Sequence, residues 1–189
     1  MFRSIITLFF LALFTAPLSA QTTVEKSMTG LQFNLNNLAV YHEIGLSDIF
    51  TLRAQAGLTL ALEGRGNGDN IDLDLYLTPV VRLEPRLYYN LAKREYKGKR
   101  TANNSGNFFG LKTEYQLPYH LVRTDNRRKL RGHVKFIPRW GIRRNLGSNW
   151  DFELGLGLGR RVVIYSRGND TITEVDVVPD VEWKFGFRF

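Results

Sequence analysis

From residue 50 to residue 189, apolar and polar side chains alternate with a period of two. The alternation comes in segments of about ten to fourteen residues, the length a tilted bilayer-crossing strand requires. In the clearest segment Phe50, Leu52, Ala54, Ala56, Leu58 and Leu60 share one face, and Thr51, Arg53, Gln55, Gly57 and Thr59 the other. The next sets Ile71, Leu73, Leu75, Leu77, Pro79, Val81 and Leu83 against Asp72, Asp74, Tyr76, Thr78, Val80, Arg82 and Glu84. A third opposes Phe109, Leu111, Thr113, Tyr115 and Leu117 to Gly110, Lys112, Glu114 and Gln116. Then Val134, Phe136, Pro138, Trp140 and Ile142 face away from His133, Lys135, Ile137, Arg139 and Gly141. Trp150, Phe152, Leu154, Leu156 and Leu158 oppose Asp151, Glu153, Gly155, Gly157 and Gly159. The last segment sets Val181, Trp183, Phe185, Phe187 and Phe189 against Glu182, Lys184, Gly186 and Arg188.

Turn signals separate these runs. Gly45 to Asp48 and Asn145 to Ser148 are short, whereas Gly64 to Asn70, His120 to Lys129 and Ser166 to Thr171 are longer or more polar. Alternating short and longer connections fit an up-and-down barrel with one plain rim and one elaborated rim. Counting in from residue 29, the apolar phase slips: Leu31, Phe33 and Leu35 are odd, Leu38 and Val40 even. A tight turn at Asn36-Asn37 makes two strands of Thr29 to Ile44 and brings the total to eight; a bulge explains the slip equally well but leaves an odd count. Pro79 and Pro138 interrupt otherwise regular faces and predict bulges or rim positions, because each removes a ladder donor. The stretch 92–107 breaks the pattern: Lys93, Arg94, Lys97, Lys99 and Arg100 predict a basic turn of helix, followed by an Asn103-Asn104-Ser105-Gly106-Asn107 loop.

Alternation does not say which face is outside, since a lipocalin-type soluble barrel has the same period with apolar residues inward. Two features decide for apolar outward. The polar face mixes both signs at intervals (Arg53, Arg82, Glu84, Lys112, Glu114, Lys135, Arg139, Asp151, Glu153, Lys184, Arg188), which suits a narrow lumen where charges pair, and it carries many glycines. The apolar face is rich in Phe, Trp and Leu as far as Phe189, with aromatic residues near strand ends as in interfacial girdles.

Composition adds compartment. Met1-Phe2-Arg3-Ser4, an apolar run from Ile5 to Phe14 and the small residues around Ala16 to Ala20 read as a secretory signal peptide over 1–20, leaving 21–189 as the barrel domain. Its removal takes only Arg3 from the formal net charge of +8. With no cysteine, the exported chain has no disulfide framework, thiolate metal site or lipid-modified Cys, so a hydrogen-bonded barrel in lipid is one way to hold it.

Val181, Trp183, Phe185, Phe187 and Phe189 resemble the assembly signal of outer-membrane barrels, a terminal aromatic preceded by apolar residues at alternate positions. That resemblance implies recognition by the barrel-assembly machinery. Leu83-Glu84-Pro85-Arg86-Leu87-Tyr88-Tyr89-Asn90, Asn103 to Asn107 and Pro138 to Asn145 look like the uncharacterised small outer-membrane barrels common in Bacteroidetes, loosely similar to OmpX- and OmpA-type barrels. The likeness implies an all-β, antiparallel up-and-down transmembrane barrel in the outer membrane, with 92–107 on the periplasmic side. Rather short outer loops count against an adhesin built on protruding loops.

Candidate chemistry is sparse. His42, His120 and His133 share no metal-ligand spacing, and His133 falls on the inward face near Lys135. Ser166 or Ser105 with His120 could be assembled into a lipid-modifying enzyme on paper, but no Gly-x-Ser-x-Gly elbow is present. Gly66 to Asp72 has acidic residues without the distal Glu of a helix-loop-helix calcium site, and Gly155-x-Gly157-x-Gly159 lies in a strand, where a phosphate loop does not form. Arg127, Arg128 and Lys129 could meet lipopolysaccharide phosphates from an outer loop, with simple solvated charge as the plainer account. The expectation is a monomeric, non-enzymatic outer-membrane barrel with a side-chain-filled lumen. It would need no cofactor or nucleic acid and would be surrounded by outer-membrane lipid and lipopolysaccharide; a lipid-modifying enzyme and a narrow solute channel stand as alternatives.

Overall fold

A computed structural model describes residues 23–66, 71–119, 121–123, 132–167 and 170–189; within strands, the side chains of 61–66, 71–74, 122–123, 165–167 and 170–171 are not described. The signal-peptide segment 1–20, His120 and the Arg127-Arg128-Lys129 cluster lie outside the described residues.

The alternating segments become strands because successive Cβ atoms point to opposite faces, so a period-two sequence can commit each face to one environment. The strands are β1 (Ser27–Phe33), β2 (Asn37–Gly45), β3 (Phe50–Gly66), β4 (Ile71–Tyr88), β5 (Asn107–Gln116), a two-residue β6 (Val122–Arg123), β7 (His133–Asn145), β8 (Trp150–Arg167) and β9 (Asp170–Arg188). Every pairing is antiparallel between neighbours in the chain, β5 pairs β7, and β9 returns to β1, so eight long strands close a ring. The phase slip near the start is a hairpin. Its turn is Asn34–Asn36, closed by the Asn34 N–H on the Asn37 carbonyl (2.9 Å) and the Asn36 N–H on Asn34 Oδ1 (3.1 Å), one step before the predicted Asn36-Asn37.

Three expectations are corrected. Gly64 to Asn70 and Ser166 to Thr171 are not loops. Strand pairing continues to Gly66↔Ile71 and Arg167↔Asp170, leaving only 67–70 and 168–169 as connections. The long 117–132 connection is also not all loop, since β6 returns to pair on β4. Nor do the prolines create bulges. The β3–β4 register runs without an inserted residue through Leu58↔Pro79. The β7–β8 ladder pauses only between Phe136↔Arg160 and Arg139↔Gly157 and resumes in the same register. Opposite that pause Gly159 has no Cβ, which lets the two backbones close up where Pro138 cannot donate; a Cβ there would meet the Phe136 carbonyl and lie 2.7 Å from Ile137 Cα.

The ring is steeply staggered. Gly30 pairs directly with Arg188, but the way round through Tyr41, Gln55, Arg82, Glu114, Lys135 and Arg161 reaches β9 at Asp176, twelve residues along (188 against 176). A stagger larger than the strand number tilts the strands and widens the barrel. That gives an eight-stranded lumen room for arginine.

One end, here the base, carries Thr23, Phe189, the 46–49 and 146–149 turns and the 89–106 connection. At the opposite crown the wall is uneven: β3, β4, β8 and β9 have 17 to 19 residues, β1 and β2 only 7 and 9. Across the described wall, Phe33, Leu38, Val81, Leu83, Phe109, Leu111, Phe136, Trp150, Leu156, Val181 and Phe185 point outward and are exposed. The interior is polar.

Candidate functional site

The lumen holds the chemistry. Even residues of β4 and β9 and odd residues of β2, β3, β7 and β8 point inward, so side chains far apart in sequence meet across the ring. Glu153 is the hub. Its carboxylate accepts from Arg53 (3.1 Å), Arg86 (2.7 and 2.8 Å) and Arg139 (2.8 Å), all four side chains being almost wholly buried. Glu43 is a second hub, accepting from Arg53 (2.7 Å), Arg143 (3.2 Å), Tyr88 (3.2 Å) and Asn104 (2.8 Å). Glu84 joins Arg86 (2.7 Å) to Arg139 (2.8 Å), and Arg143 also donates to Asp151 (2.8 Å) and the Tyr41 hydroxyl (2.9 Å). Guanidiniums lie over aromatic faces, Arg53 over Tyr41 at 4.3 Å and Arg86 over Phe108 at 4.2 Å.

Nearer the crown the network thins. Lys112 meets Asp180 at 2.5 Å and Glu182 at 3.4 Å, Lys184 meets Glu182 at 2.9 Å, and Glu114 is shared by Arg82 (2.6 Å) and Lys135 (2.7 Å). Counted through these pairs, seven carboxylates face eight cations. The pairs are mutual locks, because a buried charge is tolerated only when its partners satisfy it.

Glycine makes the room. Inward Gly141 lies against the Phe108 ring, which a Cβ would strike, and a Cβ on Gly155 would sit 2.9 Å from the Arg139 guanidinium carbon. The space is used by the neighbouring strand's large residue, closer at hand than the far side of the barrel.

The base is floored by the 92–107 stretch, which is the turn of helix and loop that its sequence predicts. After β4 comes a single turn of helix, α1 (Leu91–Tyr96), and a 3-10 turn at Ala102–Asn104. Asn103 and Asn104 adopt left-handed φ of 61° and 56°, a region asparagine tolerates better than most residues. This places Asn104 inside the ring: its Nδ2 donates to Glu43, and its Oδ1 accepts the Glu25 N–H at 2.7 Å. The Asn103 N–H donates back to Glu25 Oε1 (3.0 Å). Beneath the ion pairs, Val24, Leu91, Tyr88 and Phe108 form a small apolar floor. The basic side chains Lys93, Lys97, Lys99 and Arg100 stay exposed outside it.

Of the charged positions singled out in the sequence, Arg53, Arg82, Glu84, Lys112, Glu114, Arg139, Asp151, Glu153 and Lys184 are buried in the lumen; Lys135 and Arg188 are half-buried towards its ends. The structure adds Glu43, Arg86 and Arg143 as central members. Each obeys the inward parity of its strand, but Arg86 and Arg143 lie just past the points where the alternating segments were cut, and Glu43 lies in the segment with the phase slip. Val181, Trp183, Phe185, Phe187 and Phe189 line the outer wall, where Trp150 meets Phe33 (6.4 Å) and Phe187 (5.1 Å) edge to face. Tyr89, Phe109 and Trp140 make a second aromatic patch, with Trp140 Nε1 donating to the Tyr89 hydroxyl at 2.8 Å.

The two described histidines lie apart. His42 points out of the wall and bonds Thr29 Oγ1 through Nδ1 (2.8 Å), while His133 is half-buried at the crown end of β7. Ser105 is buried at the base, where its Oγ accepts the Asn145 N–H (3.2 Å). Residues 119 and 121, the neighbours of His120, lie at the opposite end, where the Leu121 N–H bonds the Leu77 carbonyl. Among the described residues no group of three His, Cys, Asp or Glu is placed to hold a metal ion. Comparison of the chain with protein-family models, curated proteins and solved structures finds no match.

Proposed function

We propose that this chain is an integral outer-membrane β-barrel of a Gram-negative bacterium, exported through a cleaved signal peptide, that serves envelope structure or surface interaction and catalyses no reaction. The observation that carries this reading is the inverted polarity of the ring. Arg53, Arg86, Arg143, Glu43 and Glu84 are buried inside while Phe33, Leu38, Phe109, Leu156 and Val181 are exposed outside. Water would penalise so continuous an apolar wall, whereas hydrocarbon demands one, together with backbone groups paired within the sheet. Aromatic clusters around Trp150 and Tyr89 near the base fit one interfacial girdle.

The environment on this reading is outer-membrane lipid and lipopolysaccharide, and the base faces the periplasm. Val181, Trp183, Phe185, Phe187 and Phe189 present the alternating face read by the barrel-assembly machinery. The likeness to small Bacteroidetes barrels is part of the same proposal. With the lumen occupied by its own ion pairs and floored by Asn104, the barrel is closed to solutes and acts as a scaffold for its wall and rims.

Fractionation and gel migration test the proposal. The protein should be extracted by detergent from outer membranes and should migrate differently before and after boiling. Recovery wholly in soluble periplasm would refute it. In planar bilayers the folded barrel should be silent, and a stable conductance would move the reading to a channel.

A further inference from the structure

The barrel pairs its charges inside and leaves a set of them unpaired outside, at the base. The connection from Tyr89 to Gly106 carries Lys93, Arg94, Lys97, Lys99 and Arg100 against one carboxylate, Glu95. Arg144, at the base end of β7, joins them. Among the described residues none of these cations forms an ion pair, with Glu95 or with any other carboxylate. Three of them are nevertheless held in place. Arg144 donates through Nη1 to the carbonyls of Gly106 (3.0 Å) and Arg143 (2.7 Å), and through Nη2 to Asn107 Oδ1 (2.7 Å). Arg94 donates to the Arg100 carbonyl (3.0 Å), and Arg100 to the Gly147 carbonyl (3.4 Å). Such neutral acceptors orient a guanidinium without cancelling its charge.

Arg94 and Arg144 stand out within the set. Both are half-buried, and they act on each other as like charges with no carboxylate beside them. Partial burial of two like charges is unfavourable until an anion joins them. Arg94 Nε is shielded from water and has no hydrogen-bond partner among the described residues. The two side chains therefore present uncancelled charge and an unused donor to an oxyanion, and a guanidinium fork suits the oxygens of a phosphate.

The surroundings say which phosphate. Arg144 lies on the outward face of β7, in line with Ile142 and Trp140. Asn107, which accepts from Arg144, donates to the Tyr89 hydroxyl (3.3 Å), and that hydroxyl also accepts from Trp140 Nε1 (2.8 Å). The Phe109 ring lies 5.2 Å from that of Tyr89. One run of hydrogen bonds joins the cation to the aromatic patch, and the apolar wall begins directly above it. A soluble acidic polymer would use the arginines and leave that wall bare. An amphiphile uses both, its phosphate on the arginines and its acyl chains along Trp140 and Phe109. We propose that Arg94 and Arg144 form a binding site for the phosphodiester of an anionic phospholipid in the leaflet that faces the periplasm. The inference rests on the outer-membrane reading, which puts the base on that side. Lys93, Lys97, Lys99 and Arg100 add a diffuse attraction around the site.

Trp140 can report on its own lipid neighbours. With Trp150→Phe and Trp183→Phe it is the single tryptophan of the chain, and bromine on an acyl chain quenches it on contact. The barrel is folded into phosphatidylcholine vesicles that hold a small fraction of brominated phosphatidylglycerol or, in a parallel set, of brominated phosphatidylethanolamine. Heat-modifiable migration selects the folded samples. Phosphatidylglycerol should be enriched beside Trp140 by roughly fivefold over random mixing, the order expected for a basic side chain at a charged lipid surface, and phosphatidylethanolamine should mix at random. Arg94→Gln with Arg144→Gln should abolish the enrichment, and Arg94→Gln alone, which touches no strand, should lower it. Lys93→Gln, Lys97→Gln and Lys99→Gln together should leave most of it. Equal quenching by the two lipids would overturn the site and leave the membrane reading standing. So would an enrichment that follows the three lysines and ignores the two arginines. Quenching by neither lipid would put Trp140 out of reach of acyl chains and overturn the membrane reading, and the site with it.

Discussion

The base and the crown of this barrel use the same residue types and hold them by different physics. At the base all eight strands close the ring, and Glu43, Arg53, Arg86, Arg143, Asp151 and Glu153 are buried with each charge shared among several partners. Towards the crown the β3–β4 and β8–β9 hairpins continue past their neighbours, and Arg161 meets Asp176 at 2.6 Å with both side chains nearly half exposed. The distance is as short as any at the base. Its worth is not, because water competes for an exposed pair and is absent from an enclosed one. Ring closure, more than residue type, decides which ion pairs hold the molecule together.

The largest effect should come from the hub. Glu153→Leu leaves Arg53, Arg86 and Arg139 without a shared carboxylate, and the urea midpoint of the micelle-folded barrel should fall by an amount equivalent to roughly 3–5 kcal/mol. A loss no greater than that of a surface pair would mean that water enters the base and would break the comparison. Gly141→Ala tests the packing beside those charges. Its Cβ strikes the Phe108 ring, under which Arg86 sits, and the expected cost in the same unfolding assay is about 1–3 kcal/mol.

Asn104→Ala sharpens the comparison at the floor. It removes a donor from Glu43 and an acceptor from the Glu25 N–H, so about 1 kcal/mol should be lost and limited proteolysis should begin to cut the 97–101 segment. Unchanged cleavage would mean that the connection is held by its apolar floor alone. The smallest effect belongs to the crown. Arg161→Ala should change stability by less than about 1 kcal/mol, and the difference should vanish in high salt.

Much of the fold was readable because it is written locally. Each strand that alternates in the sequence alternates in the structure, and the slip between Leu35 and Leu38 marked the β1–β2 hairpin. Pro79 sits just past the last β4–β5 pair, Val80↔Gln116, as the rim alternative has it, whereas Pro138 makes no bulge because a ladder can skip a bond where a facing glycine lets the backbones approach, and its pairing with a partner strand near Gly159 is not local information. The strand ends misled for a related reason: turn-forming residues such as Gly64 and Ser166 still pair when a neighbouring strand holds them. Asn104 carried no periodic signal at all. Its place in the lumen depends on two successive left-handed residues and on where Glu43 waits.

By itself, then, the sequence determined which side chains share a face and that one face would be charged and the other apolar, because the two-residue repeat of a strand is set by bond geometry; that the phase slip is a hairpin and the ring eight-stranded came from the structure. Only the tertiary structure decided which charges meet, that Arg86, Arg143 and Glu43 are central, and that, among the described residues, β9 pairs with β1 only as far as Phe185. Those facts depend on the twelve-residue stagger and on unequal strand lengths, which belong to the closed ring as a whole and to no segment of it.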